Sequence, residues 1–233
     1  MVVNVKKDEL LERLKGGLVV SCQALIDEPL YGAAIMARMA LAAKEGGAVG
    51  IRANTPEDIR SIKDTVDLPV IGLYKQDYAG SEVYITPTLK EVEALMEVKP
   101  DIIAMDATGR IRPEGLTLED FFQQIKLKYP EMFFMADCAT LEEAKKAEEL
   151  GFDMIGTTLC GYTQETRGSK LPALSLMKEM AEQLKVPVIG EGGISTPEEL
   201  RQAMEAGIHA AVVGGAITRP REITKKFTEI LLR

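Results

Sequence analysis

Short apolar runs alternate along the chain with longer stretches whose apolar positions recur at helical spacing. The runs fall at 18–23, 48–53, 69–75, 101–107, 132–138, 154–159, 187–194 and 210–217. Each has the length of a strand buried on both faces, as in a parallel sheet. Helical segments are predicted between and after them, at 31–45, from 55, at 88–98, 118–128, from 140 to Gly151, at 172–184, 197–206 and 220–232. Several open on start signals such as Thr55-Pro56-Glu57-Asp58, Thr140-Leu141-Glu142-Glu143 and Ser195-Thr196-Pro197-Glu198-Glu199. Before the first run, residues 6–16 read as a short amphipathic helix, with Leu10, Leu11 and Leu14 on one face and Gly16-Gly17 as its stop.

Strand and helix patterns in this alternation imply right-handed βαβ units and a parallel sheet. Eight units favour closure over an open sheet, and no GxGxxG follows the first run to suggest a dinucleotide site. The expectation is one α/β domain spanning 1–233, a (β/α)8 TIM barrel with a short N-terminal helix. The seventh and eighth runs each end in a glycine pair, Gly192-Gly193 and Gly214-Gly215, just before a helix signal. Glycine lets backbone N–H groups approach an anion there, and turns after strands seven and eight are where such barrels hold phosphate.

Composition narrows the field. With 46% hydrophobic and 27% charged residues, the 233-residue chain is ordinary for a soluble domain. A net charge of −8 argues against nucleic acid or an anionic membrane as partner, yet leaves room for a phosphorylated small molecule. Cys22, Cys138 and Cys160 lack CxxC spacing, and with one histidine, His209, no zinc site is expected. His209 itself reads as a helix-end cation. No run has the length of a membrane helix, and the opening residues lack the order of a secretory signal. The reducing cytoplasm is therefore the expected compartment.

Barrel chemistry sits at the C-terminal strand ends. Those ends carry Gln23, Arg52, Lys75, Asp106, Asp137, Thr157 or Thr158, and Glu191, with Arg219 beyond the second glycine turn. A charge closing an apolar strand is costly without a partner, so five of them at one mouth point to a site. Lys75 near Arg52 would have a lowered pKa and could act as a base or Schiff-base nucleophile; as a structural cation it would pair with Asp106 or Asp137. Glu191 is an acid/base or a counter-charge to Lys75. Asp106 with Arg110 and Arg112 is a ligand contact or a structured loop.

The segments Ser21-Cys22-Gln23-Ala24-Leu25, Gly50-Ile51-Arg52-Ala53, Ile71-Gly72-Leu73-Tyr74-Lys75, Met135-Ala136-Asp137-Cys138, Gly156-Thr157-Thr158-Leu159-Cys160-Gly161-Tyr162-Thr163 and Gly190-Glu191-Gly192-Gly193 resemble the N-acylglucosamine-6-phosphate 2-epimerase family over essentially the whole chain. That resemblance implies interconversion of N-acetylmannosamine 6-phosphate and N-acetylglucosamine 6-phosphate, a step in sialic acid breakdown, with no metal or organic cofactor. By position, Lys75 matches the family's catalytic lysine and Glu191 its partner carboxylate. Gln23, Arg52, Asp137 and Arg219 match the sugar-binding set, and the two glycine turns match the phosphate site. Other phosphate-binding barrels, a Schiff-base aldolase and a non-catalytic phosphosugar sensor remain the competing readings. A homodimer is expected on fold analogy alone.

Overall fold

The computed structural model describes residues 2–231, with side chains from residue 7 onward; residues 1, 232 and 233 of the expected domain, including the last residue of the predicted final helix, lie outside the described residues. In chain order the elements are α1 (Val2–Leu14), β1 (Leu18–Cys22), α2 (Ala33–Glu45), β2 (Gly50–Asn54), α3 (Pro56–Thr65) and β3 (Val70–Leu73). They continue with α4 (Leu89–Val98), β4 (Ile102–Asp106), α5 (Leu118–Lys128), β5 (Phe133–Asp137), α6 (Leu141–Leu150), β6 (Met154–Gly156) and α7 (Leu174–Gln183). β7 (Val188–Glu191), α8 (Pro197–Glu205), β8 (Ala210–Val213), the single turn α9 (Gly215–Thr218) and α10 (Pro220–Leu231) complete the order. The strands pair in parallel from β1 to β8, and β8 pairs back to β1, closing the (β/α)8 barrel. Threonine caps start α3, α4, α5, α6 and α8, each accepting a backbone N–H from the first turn.

Strand side chains alternate between two cores. Val19, Ile71, Ile102, Phe133, Met135, Ile189 and Val212 fill the barrel interior, whereas Val20, Ile51, Ile103, Phe134 and Val213 meet the helices. This period of two sets the site. Continuing the inward phase by two residues leads from Val19 to Ser21 and Gln23, from Ile71 and Leu73 to Lys75, from Met135 to Asp137, and from Ile189 to Glu191.

Helix α1 closes the opposite end. Leu14 is fully buried within the interior cluster, with Leu10 and Leu11 packed beside it. His209, expected as a helix-end cation, instead pins this helix: its Nε2 lies 2.8 Å from the Leu11 carbonyl, and its own carbonyl accepts the Gly16 N–H at 2.7 Å.

The strands are shorter than the apolar runs, because the runs continue into turns. Residues 157–160 leave β6 as a turn, and residues 192–194 leave β7 at the glycines. The loop 76–87, for which no regular element is predicted, folds back so that Ile85 pairs antiparallel with Lys75. The last helix forms as predicted but buries no residue: Phe227 and Ile230 are each 71% exposed. An apolar groove lined by Leu18, Val20, Ile35, Met39, Ala43 and Ile217 lies open between α2 and α9.

Replacing Leu14 with alanine should cost about 2–5 kcal/mol, the usual cost of truncating a fully buried leucine. Urea unfolding monitored by circular dichroism checks it, and a loss below about 1 kcal/mol would mean that α1 does not plug the barrel.

Candidate active site

The C-terminal mouth holds a cavity of about 360 Å³, bordered by Gln23, Arg52, Lys75, Glu191, Gly192, Gly193, Gly214, Gly215 and Arg219. Its floor is an ion-pair cluster. Arg52 crosses the barrel from β2 and meets Asp137 of β5 with two hydrogen bonds, Nη1 to Oδ1 at 3.0 Å and Nη2 to Oδ2 at 2.6 Å. Both side chains are almost wholly buried, at 1% and 0% exposure. Arg52 Nη1 also lies 3.0 Å from Glu191 Oε2. The Thr158 hydroxyl sits between the two carboxylates, 2.6 Å from Asp137 Oδ1 and 3.1 Å from Glu191 Oε2. Burial opposes the charge on Arg52, but Asp137 and Glu191 outweigh it and hold the guanidinium more firmly protonated than in water. Burial pushes Glu191 above the ordinary glutamate range, against the pull of Arg52.

Lys75 stands beside this cluster, half-buried, and makes no ion pair among the described residues. Its backbone N–H donates to Asn54 Oδ1 at 2.8 Å, which fixes where the side chain starts. Burial and the charge of Arg52 bring its pKa down to about 8, with Glu191 partly opposing. Such an amine is neutral in an appreciable fraction of molecules near neutrality, as a base requires.

The glycine turns form the far wall. Gly192 and Gly193 have φ of 112° and 76°, a region costly for residues with a Cβ. A Cβ on Gly193 would also lie 2.4 Å from that of Leu171, so this glycine seats the β6–α7 loop as well as turning the chain. The N–H groups of Gly192, Gly193 and Gly215 donate to no backbone carbonyl among the described residues, leaving them for an anion. Arg219 borders this wall, 38% exposed, and lies 3.4 Å from Glu28. Two further buried polar atoms, Gln23 Oε1 and Arg52 Nε, lack partners among the described residues. Leaving such groups unpaired costs about 1–3 kcal/mol each, so a polar ligand gains by meeting them.

Of the residues expected at the mouth, Gln23, Arg52, Lys75, Thr158, Glu191 and Arg219 border the cavity; Asp137 lies beneath Arg52 and reaches the cavity through it, and Asp106 does not line it. The open alternatives resolve geometrically. Asp137 is engaged by Arg52, and Asp106 by Arg110 at 2.6 Å and by the Thr108 N–H and hydroxyl, so neither carboxylate is paired with Lys75. Asp106, Arg110 and Arg112 are a structured loop: buried Arg112 donates to the Thr86, Pro87 and Asp106 carbonyls and stacks on Phe121. Glu191 pairs with Arg52 rather than balancing Lys75 alone. The three cysteines are buried with thiol pKa values raised by that burial, unsuited to nucleophilic work. Among the described residues, no three His, Cys, Asp or Glu side chains stand together as a metal site. Nor is any helix of the described residues long and apolar enough to cross a membrane. The sequence reading missed Asn54, Glu28 and Tyr84; Asn54 shares the inward phase of Arg52 and could have been found by it.

Comparison with known proteins points to one family. A family model described as "Putative N-acetylmannosamine-6-phosphate epimerase" matches residues 36–232. A protein from Enterobacter sp. (strain 638), described as a 2-epimerase of that kind, is 55% identical over 220 residues, covering 94% of each chain. One from Listeria innocua with the same description is 54% identical over 223 residues, covering 95% of this chain and 96% of its own. The solved N-acetylmannosamine-6-phosphate 2-epimerase from Clostridium perfringens superposes with a TM-score of 0.91 at 51% identity, covering 95% of this chain and 96% of its own. A thiamine phosphate pyrophosphorylase from Pyrococcus furiosus, at 22% identity and a TM-score of 0.62, shares the fold.

The depressed Lys75 pKa fixes the sign of a stability effect. The unfolded chain binds the amine's proton up to its ordinary pKa of about 10.4, whereas the folded chain releases it near 8. The cost of holding the ammonium is thus fully present below about 8 and fades as pH rises toward the unfolded value. Lys75→Met should melt higher than the wild type at pH 7, and the gain should vanish by about pH 10. Parallel thermal melts across that range check it; equal melting temperatures at pH 7 would contradict the burial cost.

Proposed function

The chain belongs to the N-acetylmannosamine-6-phosphate epimerase family, and from that premise we propose that it interconverts N-acetylmannosamine 6-phosphate and N-acetylglucosamine 6-phosphate by moving the proton on C2. The observation that carries the mechanism is the placement of Lys75. It borders the cavity beside the buried Arg52–Asp137–Glu191 cluster, facing two glycine turns, with no carboxylate partner among the described residues. Burial with the charge of Arg52 lowers its pKa to about 8.

In the open-chain sugar, C2 lies next to the C1 aldehyde, so its hydrogen is weakly acidic. Neutral Lys75 takes that proton, and the electron pair delocalises onto the C1 oxygen as an enolate. Arg52, charged and preorganised by Asp137, offsets the developing negative charge without reorganising. Proton return to the opposite face of C2 inverts the centre. Glu191, its pKa raised by burial, moves the anomeric hydroxyl proton as the ring opens and closes. Gln23 and Arg52 orient the sugar's polar groups, with Asp137 acting through Arg52. Backbone N–H groups at Gly192, Gly193 and the Gly214-Gly215 turn hold the phosphate, with Arg219 beside them.

In this reading the whole chain is one catalytic unit serving sialic acid breakdown in the cytoplasm. It is also a homodimer. The exposed apolar face of α10, with Phe227 and Ile230, and the open groove between α2 and α9 are surfaces that a second copy would cover.

Three outcomes follow. Proton NMR in deuterated water should record conversion of N-acetylmannosamine 6-phosphate without added metal, and Lys75→Ala should lower C2 turnover by at least about a hundredfold. A folded Lys75→Ala protein with full turnover would remove Lys75 from the mechanism. The wild-type kcat/KM should climb between pH 7 and 8 and level off above about 8, since the ammonium form is inactive; a profile falling over that interval would contradict a neutral base. Sedimentation should give a dimer that Phe227→Asp dissociates, and a wild-type monomer would end the dimer reading.

A further inference from the structure

Lys75 and Tyr84 occupy facing arms of the hairpin that follows β3. Lys75 pairs antiparallel with Ile85, the Gln76 N–H donates to the Tyr84 carbonyl at 3.0 Å, and the Thr86 N–H donates to the Tyr74 carbonyl at 2.9 Å. The returning arm is anchored to the barrel. The Ile85 carbonyl accepts the Asp106 N–H at 3.0 Å, the Thr86 hydroxyl donates to the Ala104 carbonyl at 2.7 Å, and Ile85 is 2% exposed within the interior core. Tyr84 therefore has a fixed backbone position. Its ring packs against that core and borders the cavity.

The hydroxyl of Tyr84 has no hydrogen-bond partner among the described residues, and burial with the nearby Asp137 and Asp106 charges pushes its pKa up to about 12. It stays a neutral O–H, able both to donate and to accept. Position around the ring says what meets it. In a closed eight-stranded barrel, the segment after β3 lies across the mouth from the turns after β7 and β8. If those turns hold the phosphate on C6, the opposite wall receives the C1–C2 end of the sugar. Lys75, from the same hairpin, must reach C2, so the substituent on C2 lies against this wall. An acylamino group presents a carbonyl acceptor and a short apolar tail there. A phenolic hydroxyl and a ring face, flanked by Ile85, suit both.

We infer that Tyr84 is a specificity-determining residue whose hydroxyl and ring receive the acylamino group on C2 of the substrate, an inference that rests on the epimerase reading. Its removal should change which acyl groups are accepted, which a merely structural side chain would not do.

The test measures kcat and KM for the N-acetyl and N-butanoyl forms of mannosamine 6-phosphate with wild type, Tyr84→Phe and Tyr84→Ala, each shown to be folded by circular dichroism. Tyr84→Phe should raise KM for the N-acetyl sugar about tenfold through loss of one hydrogen bond. Tyr84→Ala should raise the butanoyl-to-acetyl ratio of kcat/KM by about tenfold or more, as expected for opening a wall by a few methylenes. Unchanged KM in Tyr84→Phe together with an unchanged acyl ratio in Tyr84→Ala, in an active wild-type background, overturns the inference and leaves the epimerase reading standing. Should Tyr84→Ala fail to fold, the KM of Tyr84→Phe decides alone. A wild type that converts neither sugar would sink the epimerase reading and this inference with it.

Discussion

The buried pair of Arg52 and Asp137 is the constraint on which the mouth of this barrel depends. Two charges almost without solvent are tolerable only because two hydrogen bonds join them and a second carboxylate, Glu191, completes the set. Removing Asp137 alone would leave the buried guanidinium with Glu191 as its one remaining carboxylate, and breaking a buried pair in this way costs about 3–5 kcal/mol. The arrangement also sets the electrostatics above it. One cation is shared by two carboxylates, of which Glu191 is pushed toward its neutral form by burial, so the neighbouring half-buried amine has no dedicated counter-ion. That is the condition under which a lysine gives up its proton near neutrality.

The barrel and most of its mouth were legible because a closed parallel sheet has a strict period of two. Once the apolar phase of a strand is known, the next inward position is fixed, and Lys75, Asp137 and Glu191 each stand there. The partnership between residues was not legible in the same way. Arg52 and Asp137 are 85 positions apart, and only closure of the sheet brings them together. Hence Arg52 reads from sequence as a charged strand end, with no sign that both of its Nη groups are engaged by Asp137. His209 likewise gave no local sign that it would hold the N-terminal helix, because that contact joins opposite ends of the chain.

Segments without periodicity were the other blind region. The stretch 76–87 has no regular apolar phase, so neither its return along Lys75 nor the placement of Tyr84 could be read from it. The final helix was predicted from its pattern, but the pattern identifies an apolar face without saying which surface covers it. A helix ring closed within one chain would have buried that face; here it is exposed.

The hairpin after β3 has a consequence for how such an enzyme changes over time. One short, continuous stretch supplies both the proposed base and the wall against which the C2 substituent rests. A recombination event or a loop graft that replaced it would transfer reactivity and selectivity together, as a cassette. Point changes on its returning arm could diversify selectivity while the amine keeps its address, because Asn54 holds the Lys75 backbone from the neighbouring strand.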